Sequence, residues 1–190
     1  MMRVIGGSAR GRRLKTPRGR GTRPTSDRVR EAMFSSLRDR IPGAVVLDLF
    51  AGTGALGIEA LSRGAAAATF VENDAEALGV LAGNLRAAGL TDRGSIKSAA
   101  ASAFVRRPTG GPFTVVFCDP PYDVAFAAVL GLVAQLDDAE ALARAATVVV
   151  ERDRRDPALV DVQDPQGVLA VDRQRSYGDT VLVYLRTKDA

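Results

Sequence analysis

Short apolar runs alternate with amphipathic stretches along most of this chain. Val45 to Phe50, Ala68 to Val71, Val115 to Cys118 and Thr147 to Val150 are continuous or nearly continuous apolar segments. Each is bounded by polar residues, glycine or proline, the pattern of strands buried on both faces. A weaker strand is expected around Ser95 to Lys97, and Val168 to Val171 and Val181 to Leu185 read as a closing hairpin turned through Tyr177-Gly178-Asp179. Helical spacing appears between the strands. Val29, Met33, Phe34 and Leu37 predict a helix from N-cap candidates Thr25, Ser26 and Asp27 to about Arg40, with Pro42-Gly43 ending it. Ile58 to Arg63 is a short helix closed by Gly64. Asn73-Asp74 caps another, with Leu78, Leu81 and Leu85 on one face and a stop near Gly89. Phe126 to Leu136 is the last. Strands alternating with helices predict an α/β fold: a doubly wound, mainly parallel seven-stranded sheet with an antiparallel C-terminal hairpin.

Charge divides the chain differently. Residues 1 to 40 carry 12 Lys and Arg against three acids, a balance of +9, while the remainder carries −5. The first 24 residues are rich in Gly and Arg, with apolar pieces only at Val4-Ile5 and Leu14, and read as short strands or an irregular arm rather than a helix. A basic N-terminal extension (residues 1 to 40, arm plus helix) is therefore expected ahead of a main domain at residues 41 to 190. Concentrated basic charge suits a polyanion, most readily nucleic acid. Arg10, Arg12, Arg13, Lys15, Arg18 and Arg20 are the candidate phosphate contacts, and a chain lacking residues 1 to 20 is expected still to fold. Arg152 to Arg155 reads as a solvated loop. The only cysteine, Cys118, lies inside a buried strand, and there is no histidine. An internal disulfide is excluded, and no metal site is expected. With no apolar run near membrane-span length and no signal-peptide pattern, a cytoplasmic protein is expected.

Two motifs carry the candidate chemistry. Gly52, Gly54 and Gly57 form G-x-G-x-x-G between a strand and a helix, and Glu72 follows twenty residues after Gly52. Glycines there let the backbone approach a nucleotide, and an acid ending the next strand can accept from ribose hydroxyls. Asp48, just before that turn, would repel a pyrophosphate and favour a cation. That points to S-adenosylmethionine rather than a nicotinamide dinucleotide. The second motif is Asp119-Pro120-Pro121-Tyr122, at the carboxyl end of the Val115 strand. Two prolines stop the strand. A carboxylate, a proline carbonyl and a flat ring are left where open α/β sheets bind ligands, a set suited to a planar base bearing an exocyclic amine. Three readings remain beside it: a DNA adenine or cytosine amino-methyltransferase, a nicotinamide-dependent oxidoreductase, and a catalytically silent RNA-binding module.

Asp48-Leu49-Phe50-Ala51-Gly52-Thr53-Gly54 together with Asp119-Pro120-Pro121-Tyr122 resembles the amino-group methyltransferases that use S-adenosylmethionine. Three further stretches are similar to the RsmD family of small-subunit ribosomal RNA guanine-N2 methyltransferases: Arg3-Val4-Ile5-Gly6-Gly7, Thr22 to Glu31, and Tyr177-Gly178-Asp179-Thr180. The resemblance implies a Rossmann-like class I methyltransferase domain. Its cofactor would be held by Asp48, Phe50, Gly52, Thr53, Gly54, Glu72, Asn73, Ser98 and Asp119. Asp119, Pro120 and Tyr122 would carry the chemistry, and Arg23, Thr25, Pro121 and Tyr122 would meet the RNA base at the mouth of the site. The partner implied is ribosomal RNA, either naked or as an assembled small-subunit intermediate with ribosomal proteins, and the protein is expected to be a monomer. One departure stands out. Many relatives place a polar side chain after the third strand, whereas this chain reads Ser98-Ala99-Ala100-Ala101-Ser102. Backbone groups and apolar contact, helped by Ser98 or Ser102, are expected to hold the adenine instead.

Overall fold

Successive side chains of a strand point to opposite faces of its sheet, so a strand covered on both sides needs every residue apolar. The computed structural model describes residues 2–17, 26–121, 123–159, 162, 164 and 167–188. In it, β1 (Val45–Asp48), β2 (Ala67–Glu72), β3 (Gly94–Ser98), β4 (Phe113–Cys118), β5 (Leu142–Asp153), β6 (Leu169–Tyr177) and β7 (Thr180–Thr187) form one seven-stranded sheet. Its order is β3-β2-β1-β4-β5-β7-β6. The first five strands run parallel, and β7 is antiparallel to both β5 and β6. The expected doubly wound sheet with its C-terminal hairpin is what forms.

Helices α1 (Asp27–Ser36), α2 (Ala55–Ser62), α3 (Ala75–Ala88), the single turn α4 (Ala101–Phe104) and α5 (Phe126–Asp138) flank the sheet. Val115 and Phe117 of β4 share one hydrophobic cluster with Phe34 of α1, Ile58 of α2 and Leu81 of α3. Val116 and Cys118 belong to the opposite cluster, with Val129 and Val133 of α5. The helix ends follow the local chemistry. Ser26 caps α1 by accepting from the Val29 N–H, and Asp74 caps α3 by accepting from Ala77. α1 stops at Ser36, four residues before the expected limit: the chain tightens into a turn there, and Leu37 and Ile41 both reach the core.

The attachment of the N-terminal segment differs most from expectation. Residues 2–14 form a small hairpin, with Arg3 bridged to Arg13 and Val4 exchanging backbone hydrogen bonds with Gly11 and Arg12. Met2, Val4, Ala9 and Leu14 are buried in the same cluster as α1, α2 and α3. The wholly buried Glu59 of α2 accepts from the N–H groups of Ile5 (2.7 Å) and Gly6 (2.8 Å) and from Arg63 Nε (2.7 Å). Ser62 Oγ accepts from the Ala9 N–H and donates to the Gly6 carbonyl. The expectation that the first 20 residues are dispensable for folding is therefore corrected: apolar contacts and buried hydrogen bonds fasten residues 2–14 to the main domain.

Arg152 is a second correction. β5 continues past Val150 to Asp153, and Arg152 is only 7% exposed, so it is not part of a solvated loop.

Candidate functional site

The strand order reverses between β1 and β4, whose carboxyl ends lie side by side, with the Leu49 N–H donating to the Phe117 carbonyl at 3.0 Å. Such a switch point is where open α/β sheets bind ligands. Both sequence motifs arrive there. The glycine turn leaves β1 and enters α2 through Gly54, whose φ of 78° is a left-handed conformation that suits glycine. Gly57 lies in the first turn of α2, packed so closely on Phe70 of β2 that a Cβ would overlap the ring.

Gly57→Ala should therefore force Phe70 or α2 to move, costing about 1–3 kcal/mol as an overpacked core residue. It would also strain the 2.9 Å hydrogen bond from the Gly57 N–H to Asp48 Oδ2. Thermal denaturation checks this, and an unchanged midpoint would contradict it.

Three acids gather at the turn. Asp48 is 1% exposed, and its pKa is pushed up to about 7. Burial is the main cause. The Gly57 N–H pulls the other way, and the neighbouring Asp119 and Glu72 raise it further. Glu72, half-buried at the end of β2, holds the glycine turn itself: Oε2 accepts from the Gly52 N–H at 2.8 Å, and Oε1 from the N–H groups of Asn73 and Asp74. Asp119 follows β4 directly and is half-buried. Burial of Cys118 between the two layers pushes its thiol far up, so it is not a nucleophile at neutral pH.

A cavity of about 390 Å³ opens beside these groups, within the range of small-molecule sites. Phe50, Glu72 and Asn73 form one part of its lining and Pro121 another. Between them Ala99, Ala100, Ser102, Val124 and Leu132 make a largely apolar slot. The alanine run expected to replace a polar adenine contact thus lies in the wall, and Ser102 joins it. Ser98 sits exposed at the end of β3, outside that lining.

The remaining candidates fall in three places. Thr53 is in the glycine turn, and its carbonyl accepts from Asn84 Nδ2. Arg10, Arg12, Arg13 and Lys15 are exposed on the N-terminal hairpin and the strand of chain that follows it. Arg18, Arg20, Arg23, Thr25 and Tyr122 lie outside the described residues. Pro120 is buried and Pro121 exposed.

Two residues that periodicity did not single out complete the frame. Asn84 is 1% exposed on α3. Its Oδ1 accepts from the Lys15 N–H at 2.8 Å, and its Nδ2 donates to the carbonyls of Lys15 and Thr53. One amide thus ties the basic segment to the glycine turn. A polar residue three after Leu81 and next to Leu85 interrupts the apolar stripe of that helix, and this was the available signal. Glu59, the one charged residue of α2, gave the same kind of signal.

Strand order, glycine turn and a cavity at the switch point together define a Rossmann-like class I methyltransferase fold. Residues 2–186 match the family model described as Conserved hypothetical protein 95. The chain belongs to the RsmD family. It is 39% identical over 189 residues to Bacillus subtilis YlbH, named provisionally as an rRNA methyltransferase, covering 96% of this chain and 98% of that protein. To the Escherichia coli ribosomal RNA small subunit methyltransferase D it is 46% identical over 121 residues, 64% of this chain and 60% of that protein. The solved structure of Escherichia coli yhhF, described provisionally as a methyltransferase, superposes with a TM-score of 0.82 at 34% identity, covering 98% of each chain.

Proposed function

We propose that this protein transfers a methyl group from S-adenosylmethionine to the exocyclic N2 amine of a guanine in small-subunit ribosomal RNA. One observation carries the reading: Asp119-Pro120-Pro121 leaves β4 at the switch point, beside Asp48, Glu72 and the cavity. The names of the relatives supply the substrate class.

The residues present fit this cofactor. The cavity offers a slot of small and branched apolar side chains for a flat ring and a carboxylate, Glu72, for ribose hydroxyls. Asp48 is a buried acid beside two further acids, an arrangement that disfavours phosphate and favours a cation. When bound, S-adenosylmethionine supplies a methyl group already activated on a sulfonium. The work of the chain is then alignment. Asp119 and the Pro120 carbonyl accept the two amine hydrogens, which aims the nitrogen lone pair. Asp119 also stabilises the positive charge that develops on that nitrogen as the new N–C bond replaces the methyl–sulfur bond. The surplus amine proton then leaves to solvent, directly or by way of Asp119. Tyr122 stacks on the base, which must leave its own stack to arrive. The exposed Arg10, Arg12, Arg13 and Lys15 hold phosphates and fix position without reading sequence.

Asp48 gives this reading a pH signature. Its folded pKa of about 7 lies above the ordinary aspartate value of 3.8, so between roughly pH 4 and 7 the folded protein holds a proton that the unfolded chain has released. Folding stability therefore falls as pH rises through that window and levels off above it. A cationic ligand favours the carboxylate. Binding S-adenosylmethionine at pH 6 should release a proton, and affinity should rise with pH up to about 7. Calorimetry in buffers of different ionisation enthalpy measures both, and affinity that is flat from pH 5.5 to 7.5 without proton release would count against the cation site.

The reaction itself is tested by mass spectrometry of digested ribosomal RNA from a strain lacking the gene. One N2-methylguanine of the small subunit should vanish and return on complementation. An unchanged modification pattern would overturn the reading.

A further inference from the structure

β5 extends three residues beyond its apolar run, and there Arg152 finds partners where solvent was expected. The guanidinium donates through Nε and Nη2 to Asp156 Oδ2, at 2.7 and 2.6 Å. Its remaining nitrogen, Nη1, donates to the Val124 carbonyl at 2.7 Å. The group lies 5.9 Å from the centre of the Phe126 ring. Asp156 is itself fixed. Its N–H donates to the Asp153 carbonyl, and its Oδ1 accepts from Ala158. Both charged side chains are nearly buried, at 7% and 12% exposure.

What the guanidinium grips is the segment that follows Asp119. The Val124 N–H donates to the Pro121 carbonyl at 3.0 Å, and Arg152 holds the carbonyl of Val124 itself. Pro121 and Val124 line the cavity, as do Ala128 and Leu132 of α5. Helix α5 begins after Ala125 without a side-chain cap. A cation at a helix N-terminus is unfavourable by itself, so helix stability does not explain the placement. A cation held by its own carboxylate and pointed at one carbonyl is instead suited to holding Val124 in place.

We propose that Arg152 is the positioning residue of the Asp119-Pro120-Pro121 segment. Clamped by Asp156, it fixes Val124 and so sets where that segment and the cavity wall stand relative to each other. The role rests on the reaction proposed above. A single guanidinium can serve Asp156 and Val124 together because its donors diverge in one plane, whereas an ammonium cannot reproduce that fork.

The test compares Arg152→Met, which keeps an apolar stem, with Arg152→Lys in the full-length protein. Single-turnover methyl transfer is measured on small subunits from the gene-deleted strain, with calorimetry against S-adenosylhomocysteine and thermal unfolding. At saturating cofactor and substrate, Arg152→Met should slow transfer about tenfold or more. It should weaken S-adenosylhomocysteine severalfold and leave affinity for the subunit within twofold of wild type. Arg152→Lys should recover part of the rate. A lower melting point with an unchanged saturated rate and unchanged cofactor affinity would show a merely structural role and overturn the proposal. If Arg152→Met does not fold, Asp156→Asn, which loosens the guanidinium without removing it, should give the same pattern in weaker form. Wild-type protein that transfers no methyl group would defeat the reaction reading instead. Equal S-adenosylhomocysteine affinity in wild type and variant would then still overturn the role given to Arg152.

Discussion

Asp119→Ala should lower single-turnover methyl transfer by about two orders of magnitude or more, the usual consequence of removing one preorganised charge-stabilising group. The carboxylate stands directly after β4, with the stiff Pro120-Pro121 pair beyond it and the cavity alongside. An alanine there leaves the β4 ladder, the glycine turn and the Glu72 hydrogen bonds untouched. Affinity for S-adenosylmethionine should consequently change far less than the rate. A second effect is specific to this geometry. Asp119 is one of the charges that raise the Asp48 pKa, so its removal should lower that pKa and shrink the proton release on cofactor binding at pH 6. Asp119→Asn, which keeps an acceptor oxygen but not the charge, should fall between wild type and alanine in rate. Near-normal transfer by the folded alanine variant would remove Asp119 from the mechanism.

Deleting residues 1–16 should cost the protein its cooperative fold. Val4 and Leu14 are fully buried in the cluster that also holds Phe34, Ile58 and Leu81. Side chains of that kind contribute about 1.5–3 kcal/mol each by burial. The polar consequences add to this. Glu59, buried beneath the hairpin in the full chain, would lose the two N–H donors of Ile5 and Gly6, and Asn84 would lose both of its bonds to Lys15. Leaving buried donors and acceptors unsatisfied costs about 1–3 kcal/mol per group, more for a charge. Together these approach the whole stability of an ordinary domain, about 5–15 kcal/mol. Circular dichroism and thermal unfolding of the truncated chain should show a lost or strongly broadened transition, with cofactor binding lost as well. Val4→Ala in the full chain gives a graded check, with an expected loss of about 0.5–1.5 kcal/mol or more as a buried large-to-small change. A truncated protein that melts like the full chain would show that the hairpin is an appendage after all.

The same hairpin illustrates how far local pattern reaches. Its Gly- and Arg-rich composition is legible, and so are the exposed Arg10, Arg12, Arg13 and Lys15. Its attachment is not. The docking is carried by Glu59, Ser62 and Asn84, which lie more than fifty residues away along the chain and bind mostly backbone atoms of the hairpin. Backbone donors look alike in every sequence, so nothing in residues 2–15 announces which helix they meet.

Arg152 follows the same logic. Read locally, Glu151 to Asp156 is a charged run, and charged runs are usually solvated. Its burial depends on a carbonyl, Val124, brought alongside by the pairing of β4 with β5.

Strand identity, order of elements and both motifs were determined by the sequence alone, because continuous apolar runs, capping residues, glycine turns and proline stops act within a few residues. Gly52, Gly54, Glu72 and Asp119-Pro120-Pro121 were found that way. Only the tertiary structure decided that Asp48, Glu72 and Asp119 come close enough to raise the pKa of Asp48, that Glu72 holds the glycine turn through Gly52, and that the alanine run forms a cavity wall. Those outcomes depend on parallel strands from distant parts of the chain lining up at one edge, and on how deeply each group is then removed from water.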